Sequence, residues 1–479
     1  MRKCESIPFS MLEQLPPARE AEADALLQPL LDRQHRKIVV LDDDPTGVQT
    51  VHDISVYTDW KPETLLEGFR EENRLFFVLT NSRAFTREQT IAAHREMAQA
   101  IAAAARETGQ DFLVISRSDS TLRGHYPTET ETLRQQLEEL TGQTFDGEVI
   151  FPYFREGGRY TLGDVHYVKE GEWLVPAGQT EFARDKTFGY RASDLKEWCE
   201  EKTGGAYPAR QVVSITLDEL RALDVAGITS KLMVVRDFGK VVVNAAHPAD
   251  VKVFAAACLR ALEQGKRFLY RSAAALPKVL GGVTDRPLLT HEELVEEGNP
   301  HGGIVLIGSH VQKTTRQMEQ LRHCRKPLEF LEFNQHLVLQ PGGLAGEVDR
   351  VVALAQRSIQ QGQSVVVYTR RERFDIPGGD AEAQLRASVA ISDAVTSIIA
   401  RLEVKPSFIV AKGGITSSDV GVKALRVRRA TVMGQIRPGI PVWRTGAESK
   451  FPYMPYVIFP GNVGEDVTLK EAVDCLMGI

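Results

Sequence analysis

Residues 37–47 read Lys-Ile-Val-Val-Leu-Asp-Asp-Asp-Pro-Thr-Gly, and this stretch decides the fold. The apolar, mostly β-branched run at 38–41 asks for burial on both faces, as strands of a parallel sheet are buried. Three carboxylates and a Pro-Thr-Gly turn follow at once. A buried strand ending in this way predicts a functional edge, because open parallel sheets bind ligands beyond the carboxyl ends of their strands. Similar runs lie outward along the chain at 75–80, 112–116 and 149–151, then at 211–215, 232–235 and 240–244. Helical patterns such as 90–106 separate them. This alternation predicts a parallel sheet covered by helices. The segment 152–187, rich in Gly, Tyr and Arg, breaks the rhythm and reads as an excursion lining a site. The first 35 residues read as a helical leader interrupted by Pro16 and Pro17.

A polar stretch after residue 280 suggests a boundary near residue 295. The run at 303–310 then opens a second α/β unit, with strands predicted at 329–333, 364–369, 408–411 and 456–459. Helices are predicted at 314–324, 346–361 and 381–402. The expected fold class is α/β with two domains, each a mostly parallel sheet flanked by helices. The divisions are a leader over 1–35, an N-terminal domain over 36–295 and a C-terminal domain over 296–479. A length of 479 residues suits two or three domains.

The net charge of −6 gives no basic excess for nucleic acid or an anionic membrane. An anionic ligand would therefore need a local positive pocket. Five scattered cysteines without a C-x-x-C spacing argue against a disulfide framework or a zinc site and fit a reducing cytoplasm. The N-terminal residues lack the apolar run of a secretory signal. No apolar stretch reaches the roughly 18 residues of a membrane span. Walker A, H-E-x-x-H, G-x-S-x-G and G-x-G-x-x-G patterns are absent.

The residues after each strand form two chemically different sets. In the first half these are Asp42-Asp43-Asp44-Pro45-Thr46-Gly47, then Asn81-Ser82-Arg83, then Arg117-Ser118-Asp119-Ser120-Thr121-Leu122-Arg123-Gly124-His125. Guanidinium forks grip carboxylates, and carboxylates accept from hydroxyls or act as general bases. This set suits a polyhydroxy acid. A solvated turn or a helix N-cap is the plain structural alternative for the acids and for Ser118, Asp119 or Ser120. Three acids crowded behind a buried strand, however, cost stability without a ligand or metal. In the second half the set is Gly308-Ser309-His310, Tyr368-Thr369-Arg370, Lys412-Gly413-Gly414-Ile415-Thr416-Ser417-Ser418-Asp419 and Pro460-Gly461-Asn462-Val463-Gly464. Successive Gly and hydroxyl residues between a strand and a helix let backbone N–H groups converge on phosphates, although each loop alone is equally compatible with a plain turn.

Together these motifs resemble the four-carbon acid sugar kinase family, which phosphorylates threonate-, erythronate- or oxo-tetronate-type acids with ATP. The resemblance runs from about residue 37 to 467. It is carried by Asp43-Asp44-Pro45-Thr46-Gly47, Asn81-Ser82-Arg83 and, most specifically, Arg117-Ser118-Asp119-Ser120-Thr121-Leu122-Arg123-Gly124. Gly308-Ser309 with Thr315 and Gln317, Gly413-Gly414-Ile415-Thr416, Pro438-Gly439-Ile440-Pro441 and the 460–464 loop carry it further. The chain departs from the family pattern at Pro45, at Arg117 in place of lysine, at Ile415 in place of glutamate, and at Phe459-Pro460.

The resemblance implies an N-terminal sugar-acid domain and a C-terminal nucleotide domain. It also implies ATP with Mg²⁺ as cofactors and a small sugar acid as partner. Arg83, Arg117 and Arg123 would hold the carboxylate. Asp42, Asp43 and Asp119 would bind hydroxyls beside Ser118 and Ser120, with Asp43, then Asp42, favoured as the base. Ser309, Gly413, Gly414, Ile415, Thr416 and Gly461 would cradle the nucleotide. Metal ligands are not assigned. The sequence is compatible with a homo-oligomer. The rival readings are a ligand sensor of the same fold without catalysis, and a sugar-acid lyase or aldolase.

Overall fold

The computed structural model describes residues 4–372, 374, 376, 381–461 and 463–479. Its internal contacts divide the chain into two compact units, one of residues 1–47 and 59–284, the other of 48–58 and 285–479. Both are α/β, as the alternating runs predict.

In the first unit the described strands Val213–Ile215, Gly239–Val243, Gly147–Phe151, Phe268–Ser272, Phe112–Arg117, Lys37–Asp42 and Leu75–Leu79 lie side by side in that order, all parallel. The founding strand, Lys37–Asp42, is buried along its whole length. Even Lys37 is enclosed, and its ammonium donates to the carbonyls of Glu71 and Asn73 at 2.7 Å each. Burying one such apolar side chain contributes about 1.5–3 kcal/mol, so this run is unstable in any exposed conformation. The helix Arg87–Thr108 starts at a Thr86–Gln89 capping box and ends at Gly109, whose φ of 68° suits glycine.

Two expectations are corrected here. Residues 232–235 are not a strand, because Val225–Met233 is a helix capped by Asp224. A short apolar run at a helix end looks like a buried strand when read alone. The first 35 residues are not helical throughout. Ile7–Pro8 is a strand pairing antiparallel with Trp173–Pro176, a 3₁₀ turn follows at Phe9–Gln14, and only Glu20–Asp32 is α-helix. The excursion after residue 152 folds as an antiparallel sheet of Arg159–Leu162, Val165–Glu170 and Trp173–Pro176.

In the second unit the strands Pro455–Phe459, Ile409–Lys412, Ile304–Ile307, Val365–Thr369 and Glu329–Phe333 are parallel neighbours. Beyond Pro455–Phe459 the sheet continues antiparallel through Ile440–Thr445, Arg429–Arg437 and Ile54–Tyr57. Arg429–Arg437 and Ile440–Thr445 form a hairpin whose turn is Pro438-Gly439, with Gly439 at φ 76°. Among the described residues no helix is long and apolar enough to cross a membrane. None of the five cysteines forms a disulfide, and burial pushes the thiols of Cys199 and Cys258 up to about 12.

Candidate functional site

Sheet order brings the first set of motifs together. Phe112–Arg117, Lys37–Asp42 and Leu75–Leu79 are neighbours, with Asp42 in register with Arg117 on one side and Leu79 on the other. The residues that follow them therefore share one edge. Asp42 turns beneath the Asp44–Gly47 turn. A Cβ on Gly47 would sit 2.0 Å from its carboxylate, so only glycine lets the chain close over it. Asp42 accepts from Arg117 Nη1 at 3.2 Å, and both side chains are almost fully enclosed. Burial raises its pKa to about 7, against the pull of Arg117.

Asp43 receives a bidentate grip from Arg83, Nη2 at 2.6 Å and Nε at 3.2 Å, and accepts from Ser118 Oγ at 2.8 Å. Burial pushes its carboxyl above the usual range, with Arg83 opposing. Asp44 accepts from Thr46 N at 2.9 Å and from Arg83 Nη1 at 3.3 Å. Burial opposes its ionisation, but the Arg83 charge and the Thr46 contacts win and hold it low. Asp119 is half-buried and accepts from Arg123 Nε at 2.6 Å and from Thr121 Oγ1. These contacts, with the Arg83 charge, overcome burial and keep it ionised well below the carboxylate range. Gly124, at φ 119°, leaves room that a Cβ would take 2.6 Å from Ser118 Oγ and 3.5 Å from Asp43.

The expected residues Asp42, Asp43, Arg83, Arg117, Ser118, Asp119 and Arg123 thus form one network, but their exposures differ. Arg117 is 4% exposed, while Arg83 and Arg123 keep 23% and 22%. Arg83 uses three of its five N–H donors on Asp43 and Asp44, leaving two. Ser118 is sealed. Ser120 contributes its carbonyl, which accepts from His166 Nε2 at 2.8 Å, while its hydroxyl belongs to a nearly buried side chain.

The second set also converges. Ile307, Lys412 and Phe459 are in register on adjacent strands, so Gly308-Ser309, Gly413-Gly414 and Pro460-Gly461 leave the sheet side by side. A Cβ on Gly308 would lie 2.3 Å from Thr416 Oγ1, and Gly413 has φ 123°. Among the described residues, its chain neighbours apart, no atom lies within 4 Å of where a Gly461 Cβ would stand. Gly414, Ile415 and Thr416 open the helix Gly414–Asp419, with Ile415 70% exposed. Asn462, in the middle of the last expected loop, lies outside the described residues.

Of two cations here, the sequence reading placed Lys412 at this edge without giving it a role and did not find Arg371. Lys412 is fully enclosed and donates to the carbonyls of Pro460 at 2.6 Å and Gly461 at 3.1 Å. Burial, with Lys313 nearby, lowers its pKa to about 7. Arg371 donates to the Ser309 carbonyl at 2.7 Å and to Thr315 Oγ1 at 3.0 Å, and its Nη1 is buried without a partner. Neither makes an ion pair among the described residues. Arg370, which sequence reading placed at this edge, instead pairs with Glu332 at 2.9 Å on the surface. Two consecutive arginines after a strand point different ways, and one-dimensional pattern does not say which turns inward.

Two family models match the chain. The family model for a sugar-binding N-terminal domain matches residues 38–280, and that for a nucleotide-binding C-terminal domain matches residues 304–469. No curated protein matches. Among solved structures the chain is similar to a Salmonella typhimurium LT2 protein provisionally described as a tRNA synthase. That match has 16% identity and a TM-score of 0.63, and covers 91% of this chain and 98% of the other. A Haemophilus influenzae protein of the DUF1537 family matches at 16% identity with a TM-score of 0.57, over 91% of this chain and 100% of the other. At these identities the likeness speaks for the fold.

Proposed function

We propose that this chain, which belongs to the family built from a sugar-binding N-terminal domain and a nucleotide-binding C-terminal domain, is an ATP-dependent kinase acting on a hydroxyl of a small, four-carbon sugar acid. The observation that carries this reading is the contrast between the two strand edges. The first unit offers ionised carboxylates and arginines with spare donors, suited to hydroxyls and a carboxylate. The second offers glycine loops around Ser309 and two cations, Arg371 and Lys412, that no carboxylate neutralises among the described residues. Buried uncompensated cations are costly unless an anion joins them, and a phosphate chain is such an anion.

Phosphoryl transfer asks mainly for positioning and charge stabilisation. In this reading Asp43 accepts the proton of the attacking hydroxyl. Arg83 holds that carboxylate by both oxygens, and Arg117, fixed by Asp42, steadies it from behind. Asp119 and Arg123 bind further substrate groups beside Ser118 and Ser120. Ser309, 413–416 and Gly461 cradle the phosphates, with Arg371 and Lys412 drawing off their charge. Mg²⁺ would supply further charge neutralisation and would arrive on the phosphates of ATP.

The test is ADP release on mixing the chain with ATP, Mg²⁺ and a panel of four-carbon aldonates and their oxo forms. Acid-dependent ADP release is expected. Acid binding without turnover would replace the kinase with a sensor, and acid consumption without ATP would replace it with a lyase or aldolase.

A further inference from the structure

The geometry points to Arg159, on the strand Arg159–Leu162 of the excursion, as the residue that grips the substrate's carboxylate. This deepens the sugar-acid reading and rests on it.

Three arginines at the strand edge are already committed. Arg83 is paired with Asp43 and Asp44, Arg117 with Asp42 and Asp43, and Arg123 with Asp119 at 2.6 Å and Asp185 at 3.7 Å. A fourth, Arg271, is 2% exposed, wedged against the rings of Tyr126 and Trp198, and donates to the carbonyl of Arg123. Its task is to hold the loop.

Arg159 differs from all four. Its guanidinium lies 5.6 Å from the centroid of Phe182, the same ring that carries Arg123 at 5.0 Å. Unlike them it makes no side-chain hydrogen bond at all among the described residues, and its Nε, like those of Arg117 and Arg271, is buried without an acceptor. Burial lowers its basicity, and the charges it chiefly feels are Asp119 and Arg123, both members of the candidate site. A guanidinium partly shielded from water, with its Nε sealed and unpaired, is destabilising in the free protein. A carboxylate restores the lost bonds in a planar fork, the geometry for which arginine is suited.

The excursion is built to hold this group beside the 118–124 loop. His166 Nε2 meets the Ser120 carbonyl at 2.8 Å, and Tyr190 donates to the Thr121 carbonyl at 2.6 Å. Burial lowers His166 to about 4, so this contact is made by a neutral ring at physiological pH. Gly158, at φ 75°, forms the turn that returns the chain into the Arg159 strand. Gly157 leaves space where a Cβ would stand 3.3 Å from Arg159 Nη1.

The experiment is calorimetric titration of the full chain with threonate and erythronate, and with the neutral tetritols of the same length, for wild type, Arg159→Met, Arg159→Lys and the exposed-neighbour control Arg155→Met. Arg159→Met should weaken aldonate binding about ten- to hundred-fold, erasing the preference for acid over tetritol while leaving ATP affinity unchanged and without lowering the melting midpoint. Arg159→Lys should recover only part, because the fork is lost. Arg155→Met should bind as wild type does. If wild type binds an aldonate and Arg159→Met binds it within two-fold of wild type, the assignment is overturned while the sugar-acid reading stands. If wild type binds neither aldonate, the sugar-acid reading falls and the assignment with it.

Discussion

Replacing Asp43 by asparagine tests the proposed base and its support together. Asp43 is buried, and each of its oxygens faces a donor of Arg83, Oδ1 meeting Nη2 at 2.6 Å and Oδ2 meeting Nε at 3.2 Å. However the new amide is turned, its NH₂ opposes one guanidinium N–H. If it replaces Oδ2, it also meets Ser118 Oγ, which stands at 2.8 Å and must then become the acceptor. Removing one partner of a buried ion pair costs about 3–5 kcal/mol. At about 2–4 °C per kcal/mol for a domain of this size, the melting midpoint should drop by roughly 6–20 °C. If Asp43 also takes the proton, turnover on an aldonate that supports ADP release should fall by on the order of 10²–10⁴, with ATP affinity little changed. Asp44→Asn is the comparison. Asp44 lies at the mouth of the turn and keeps its Thr46 contacts through Oδ1, so a loss of about 1 kcal/mol and a much smaller kinetic effect are expected. A coupled ADP assay below the lowered midpoint, with thermal unfolding of each variant, separates folding from chemistry. Near-normal turnover by Asp43→Asn would refute the assignment and move the base to Asp42 or Asp119.

Three further outcomes are expected. Asp42 has its folded pKa raised to about 7, above the ordinary unfolded value. Its contribution to stability is therefore full below about pH 4 and is lost as pH rises through 7. Asp42→Asn should accordingly flatten the fall in melting midpoint between about pH 4 and 7, and an unchanged slope would count against a buried, protonatable Asp42. Lys412, lowered to about 7 by burial, should regain its proton when phosphates bind. ATP titrations at pH 8 in buffers of different ionisation enthalpy should then show proton uptake that disappears in Lys412→Met, while uptake persisting in that variant would place the titrating group elsewhere. Arg371→Met should weaken ATP binding about ten-fold or more and leave aldonate binding intact, and equal ATP affinity would remove Arg371 from the phosphate site.

The sequence by itself determined the layer architecture and which loops carry chemistry. Runs such as 38–41 and 304–307 are too apolar to lie anywhere but inside a sheet, and the residues just after them must then stand at its edge. Asp42, Asp43, Arg83, Arg117 and Asp119 were legible for that reason. Local pattern failed where a run was short, as at 232–235, where the end of a helix is as apolar as a strand. It gave no sign of the antiparallel strands Ile54–Tyr57, Arg429–Arg437 and Ile440–Thr445, whose pairing joins residues nearly 400 positions apart. Only the tertiary structure decided which charges neutralise one another. Arg117 and Arg159 look alike as letters, yet strand register sets the first against Asp42, while the excursion's sheet leaves the second beside Phe182 with no ion pair among the described residues. Arg370 and Arg371 divide in the same way between Glu332 and Ser309. Backbone burial follows from each segment's own composition, whereas the pairing of a charge depends on which distant segment folds against it.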